Sequence, residues 1–261
     1  MITLRKKIFL FLSALFFLLF QDIAFADDDF IKLATMIYKK DLKGVEELIT
    51  SGVDVNIRQE SSGSTPLIVA CSIEGTEEII EFLILKGADV NAIAADGRTP
   101  LIWAASNSKK AVELLLAEGA DPGAKGADGM TAFIQSILGI ISGSVNTEVC
   151  DLLLDKGANV NDNITGADAA GWTALMFAAN NEKPGLVKYL ISKGANVNHQ
   201  AGDGKTSLMM ASKWGYKETV IILVENGANV NLKAIDGSTA LSLAIKENSE
   251  EIIKILKARK N

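Results

Sequence analysis

Apolar residues along this chain fall at helical spacing in short segments, as in Ile79, Ile80, Leu83 and Ile84, or Val220, Ile221 and Leu223. Such segments stop at Gly87, Gly119, Gly157, Gly194 and Gly227, where a C-cap glycine would sit. Upstream of each lies a second kind of helical segment with small residues, such as Ala104-Ala105 and Ala178-Ala179, which lets neighbouring helices approach closely. It opens at a threonine; Pro66 and Pro100 fit its first turn, where a backbone N–H has no partner anyway. Before the threonine stands Asp-Gly-x, a turn in which Gly is free to take positive φ. The pattern predicts a unit of turn, helix, loop, helix and return. Segments Phe30–Lys39 and Leu42–Thr50 predict one further pair of helices with no such turn.

Two phrases carry this unit. One runs Gly63-Ser64-Thr65-Pro66-Leu67, Asp96-Gly97-Arg98-Thr99-Pro100-Leu101 and Asp128-Gly129-Met130-Thr131-Ala132-Phe133, and recurs around Thr173, Thr206 and Thr239. Those threonines are 34, 32, 42, 33 and 33 residues apart. The other, Gly-Ala-Asp/Asn-Val-Asn, stands at 87–91, 157–161, 194–198 and 227–231, with looser copies at 52–56 and 119–123. Two phrases alternating in strict order mean an array of small units. Ordering one unit costs on the order of 50 kcal/mol, and offsetting that takes about 2,000 Å² of apolar burial. Two short helices cannot bury so much alone, so each unit must stack on its neighbours.

This chain resembles the ankyrin repeat family, whose unit is about 33 residues with a Thr-Pro-Leu-His-x-Ala phrase. The resemblance implies an all-α solenoid of about seven helix-loop-helix units with β-turn fingers. It covers essentially all of 29–261, within a repeat domain spanning 27–261. An N-terminal capping unit occupies 29–61, internal units 62–95, 96–127, 128–169, 170–202 and 203–235, and a C-terminal cap 236–261. The family's His after Leu is replaced by Ile68, Ile102, Ile134, Met176, Met209 or Ser242, so apolar packing must substitute for its hydrogen bonds. The fourth unit departs furthest. Ser136-Ile137 replaces the Ala pair, and Gly139, Ser142, Gly143 and Ser144 are expected to loosen its middle.

Residues 1–26 read as a secretory signal peptide. Arg5, Lys6 and Lys7 precede 13 residues, Ile8 to Phe20, that are apolar except for Ser13; Ala24-Phe25-Ala26 supplies the cleavage site. An uncleaved anchor is the alternative, but Gln21 and Asp22 end the run short of a span of about 20 residues. No Cys stands near the site for lipid attachment. Removing 1–26 takes away three basic residues and Asp22, so the net charge moves from −6 to −8.

That acidity argues against a nucleic-acid partner. One His and two Cys leave no zinc site or disulfide framework. Gly204-Lys205-Thr206 ends like a phosphate loop, but the required upstream Gly is His199. Asn159, Asn161 and Asn163 alternate like calcium ligands, yet Ile164 and Ala170 occupy the positions that need Gly and Glu. Asn163-Ile164-Thr165 is a glycosylation sequon. Cys71 and Cys150 lie two units apart, roughly 16–20 Å by helix spacing, so both are expected as buried free thiols. His199 is expected as an exposed loop residue and Trp103 as core. Carboxylates such as Glu77, Glu78, Glu113, Glu250 and Glu251 should form a charged outer face. No nucleophile–base pair emerges, and the expectation is a non-enzyme with no cofactor and no metal.

The resemblance implies protein binding through turn tips and first helices. Carrying its contact offsets over gives Met130, Trp172, Asn180, Asn181, Lys205, Lys213 and Trp214, with Tyr216 beside them. The expected protein is a monomeric scaffold, exported to the periplasm or cell envelope, with an unidentified protein partner. The alternative is a secreted effector or toxin-related protein; an enzyme or cofactor-protecting factor ranks last.

Overall fold

The computed structural model describes residues 29–259, so the proposed signal peptide at 1–26 lies outside the described residues. Among the described residues there are fourteen α-helices and no strand. They fall into seven pairs: α1 (Asp29–Tyr38) with α2 (Leu42–Thr50), α3 (Pro66–Cys71) with α4 (Glu77–Leu85), and α5 (Pro100–Ala104) with α6 (Lys109–Ala117). Then follow α7 (Ala132–Ser142) with α8 (Thr147–Asp155), α9 (Ala174–Asn180) with α10 (Pro184–Ser192), α11 (Ser207–Trp214) with α12 (Lys217–Glu225), and α13 (Ala240–Lys246) with α14 (Glu250–Ala258). None of these helices is long and apolar enough to cross a membrane.

First helices stack on first helices from α1 to α13, and second helices form the other layer. The turn threonine starts each first helix for a local reason. The hydroxyls of Thr65, Thr99, Thr131, Thr206 and Thr239 each accept the amide N–H three residues on. Two residues past it, Leu67, Leu101, Phe133, Leu175 and Leu208 fill the core. Next to them Ile68, Ile102, Ile134, Met176 and Met209 are buried where the family carries His, so apolar packing does replace its hydrogen bonds. Ser242 differs. It is exposed and closes a reciprocal cap with Thr239.

Fingers are knitted by backbone. The Ala127 N–H donates to the Asp96 carbonyl of the preceding finger at 2.8 Å, and the Gly202 N–H donates to the Ala170 carbonyl at 2.7 Å. This explains the turn glycines beyond their positive φ. A Cβ on Gly97 would lie 2.6 Å from the Ala127 nitrogen, and one on Gly171 2.7 Å from the Gly202 nitrogen. The next finger comes too close for any side chain.

The second phrase is a ladder. Asn56, Asn91, Asn161 and Asn198 each donate through Nδ2 to the helix-ending glycine carbonyl of the next unit, at 3.0–3.1 Å. Each also accepts, through Oδ1, the N–H two residues beyond that glycine, at 2.7–2.9 Å. Asn161 is therefore a clamp between units. One rung is absent, because Gly123 stands where the asparagine should be.

Unit four holds more helix than its small and polar residues suggest. Its extra residues wind on as helix, making α7 11 residues long before Gly143 ends it at φ 91°. Ser136 is buried; its hydroxyl donates to the Phe133 carbonyl and lies 3.2 Å from the Cys150 sulfur. Gly139 is a contact point, since a Cβ there would meet Ser106 Cα and Val145 Cγ2, both at 2.8 Å. On its far side, α8 and α10 approach less closely than any other neighbouring second helices. Tyr189 and Lys193 reach across this gap to Asp151, at 2.7 and 2.8 Å.

Candidate partner-binding surface

Trp214 is the most exposed aromatic ring among the described residues, with 53% of its surface open. It ends α11, and Gly215 at φ 75° turns the chain away behind it. Two neighbours hold it. Its indole Nε1–H donates to Asn180 Oδ1 of the preceding unit at 2.8 Å, and the Lys213 ammonium lies 5.1 Å from a ring centroid. Asn181 is exposed alongside, its amide donating to the Phe177 carbonyl. Tyr216 is half-buried in the following turn, where desolvation, and then the Glu182 charge, raise its phenol pKa. Across units five and six, then, Trp214, Asn180, Asn181 and Lys213 form one amide-flanked aromatic platform.

The remaining expected residues divide. Trp172 is half-buried; it packs on Met176, Ala201 and Met210, and its ring lies 5.2 Å from that of Phe177. Lys205 folds back onto Asp203 at 2.6 Å, so its charge is already met locally. Burial works against the Asp203 carboxylate, but the Lys205 ammonium and amide hold its pKa below the ordinary value. Met130 is a correction. Only 7% exposed, it belongs to the buried core cluster and offers no surface to a partner.

Two other sequence expectations change. His199 is half-buried rather than exposed, with Nε2 2.8 Å from the Gly171 carbonyl oxygen of the preceding finger. Trp103 is half-buried too, its outer face stacked on the Arg98 guanidinium at 5.1 Å. Arg98 and Trp103 stand one before and four after a turn threonine, the same two positions as Trp172 and Phe177. A row four past each threonine runs Val69, Trp103, Gln135, Phe177, Met210 and Leu243. Aligning the six turns would have exposed this row, which offset reasoning missed. Arg98 also pairs with Asp128 at 2.9 Å; burial works against that carboxylate, but the Met130 amide and Arg98 lower its pKa.

The outer face of the second helices carries charge as expected, and part of it ties units together. Lys109 pairs with Glu148 at 2.6 Å and Lys217 with Glu251 at 3.0 Å, while the Ser108 hydroxyl donates to Glu77 at 2.6 Å. Cys71 and Cys150 are both buried and free, and burial pushes the Cys150 thiol up to about 11. Among the described residues no group of three His, Cys, Asp or Glu side chains could hold a metal ion.

Known proteins place this architecture. A family model for ankyrin repeats matches three times, over residues 33–126, 122–201 and 181–261. Human SH3 and multiple ankyrin repeat domains protein 1 is 43% identical over 61 residues, 23% of this chain and 3% of that protein. Human 2-5A-dependent ribonuclease is 36% identical over 73 residues, 28% of this chain and 10% of that protein. The chain thus matches only a small part of these relatives. Among solved structures, the human ASB11 ankyrin repeat domain superposes with a TM-score of 0.72 at 26% identity, covering 88% of this chain and 97% of that one. The ankyrin repeat domain of Bcl-3, a member of the IkappaB family, gives 0.70 at 27% identity over 87% and 97%. Repeat spacing, stacked helix pairs and knitted fingers agree with these matches: the chain belongs to the ankyrin repeat family.

Proposed function

We propose that this chain is an exported, non-catalytic scaffold that holds a protein partner in the periplasm or cell envelope. Ankyrin repeats generally mediate protein–protein interaction, and the fold is generally a non-catalytic scaffold. The observation that carries the site is Trp214, an exposed ring held in one orientation by Asn180 and Lys213. A pre-oriented aromatic loses little freedom on binding, and Trp is the residue type most enriched at interface hot spots. Asn181, Tyr216 and Trp172 extend the surface on either side. The basic, apolar and small-residue order of residues 1–26 supports export.

Affinity capture from the envelope and periplasmic fractions with the chain as bait tests the reading. Trp214→Ala should leave far-UV circular dichroism unchanged and weaken capture of the partner by roughly thirtyfold, about 2 kcal/mol. If Trp214→Ala and Trp172→Ala both hold the partner as the parent does, the surface lies elsewhere. Recovery only from cell-free medium would replace the scaffold with the secreted effector.

A further inference from the structure

The contacts that join one unit to the next are left half-made at both ends of the array, and the two halves match. At the C-terminal end Asn231 makes the ladder turn, its N–H donating to Asn229 Oδ1 at 3.0 Å, but its side-chain amide has no protein partner among the described residues. Gly237 takes φ 77° like the other finger glycines, yet a Cβ on it would meet nothing within 4 Å. Leu241 is only half-buried where the matching residues of the other turns are at most 1% exposed, and Ile245 is 51% exposed. A shallow groove on this unit is lined by Val230, Asn231, Leu241 and Leu256.

The N-terminal end presents the counterpart. Unit one closes on Gly52 at φ 108°, and the Asn56 N–H donates to Asp54 Oδ1 at 2.9 Å, the same turn as in later units. Its Gly52 carbonyl and Asp54 N–H are the two groups that a ladder asparagine grips, and neither has a protein partner among the described residues. Ile31 on α1 is 42% exposed on the same unit.

We propose that a second copy of this chain stacks head to tail on the first, its unit one taking the place of an eighth unit. Asn231 grips the Gly52 carbonyl and Asp54 N–H of the incoming copy, and Leu241 and Ile245 are covered by its α1. The occupant follows from continuity: the open face repeats an interface the chain already makes six times between its own units. Such a contact uses different surfaces on the two copies, so each added copy presents a fresh end and association runs on past the dimer. It replaces the monomer expected from sequence.

The test is sedimentation of the full chain, in the form the cell delivers, between about 1 and 100 µM, a range suited to an end face smaller than a standard interface. The mean mass should climb with concentration. Ile245→Glu spoils only the tail and Ile31→Glu only the head, so each alone should stay at the mass of one chain. Mixed together, the two variants should form a complex of two chains and stop there, because one good head meets one good tail. Asn231→Ala should weaken association without adding charge, and circular dichroism checks that each variant is folded. A parent that stays at single-chain mass overturns the proposal. So do variants that associate like the parent, as they would if residues 1–26 drove association, or a mixture that forms no pair.

Discussion

Gly123 is the gap in the asparagine ladder, and filling it measures what the ladder contributes. Its backbone already has the right shape: the Gly123 N–H donates to Asp121 Oδ1 at 2.8 Å, as Asn91 does to Asp89 at 2.9 Å and Asn161 to Asn159 at 3.0 Å. Its φ is not positive, and a Cβ there would meet only Asp121 Oδ1 at 3.4 Å, an ordinary contact. The groups it would grip, the Gly157 carbonyl and the Asn159 N–H, have no protein partner among the described residues. Gly123→Asn should therefore add two exposed hydrogen bonds, about 0.5 kcal/mol each at the low end of the usual range. Restricting the unfolded chain adds roughly 0.5 kcal/mol more. Ordering the new side chain takes some of this back. A net gain of about 1–1.5 kcal/mol should raise Tm by about 2–6 °C for a chain of this size. Gly123→Ala separates the parts, since it keeps the backbone effect and makes no rung. Thermal unfolding of parent, Ala and Asn variants should rank them in that order, and Asn91→Ala should lose about 1 kcal/mol in the same assay. An Asn variant no more stable than the Ala variant would refute the ladder as a source of stability.

Gly139→Ala should destabilise although alanine is the better helix former by about 1 kcal/mol, because the Cβ strikes Ser106 Cα and Val145 Cγ2; overpacking of about 1–3 kcal/mol should lower Tm, and a raised Tm would contradict it. Unit four lacks the asparagine clamp from unit three, so amides in 134–148 should exchange faster than those in 173–190. Equal protection would count against that. Hydrogen bonds from Lys193 and then Tyr189 hold the Asp151 pKa below its ordinary value. Stability from a depressed carboxylate is present above the unfolded pKa of about 3.9 and is lost as pH falls through the folded value. Asp151→Asn should accordingly lose less Tm than the parent between pH 6 and pH 3, and identical losses would exclude the linkage.

The sequence by itself determined most of what depends on neighbours within one unit, the long first helix of unit four being the exception. Turn glycines, threonine caps and apolar spacing act over three or four residues, and their recurrence gave the helix pairs, including α2 at the bounds expected from Leu42–Thr50. The core followed for the same reason. The residue two past the turn threonine is buried in the first five turns, as Leu67, Leu101, Phe133, Leu175 and Leu208 are, and half-buried only at Leu241, where no further unit of this chain lies against it. Only the tertiary structure decided what the neighbouring unit, some thirty residues away, does to each position. Met130 and Trp172 share one place in the phrase, yet the former is buried and the latter half-open, because different helices and fingers lie against them. Gly139 reads locally as a breaker and serves as a point of close approach to Ser106 in the preceding unit. His199 reads as a lone loop residue and bonds to the finger before it. The candidate surface was legible as a region but not as a geometry. The hydrogen bond from Trp214 to Asn180 spans 34 residues, and no local spacing encodes which ring the stack leaves outside.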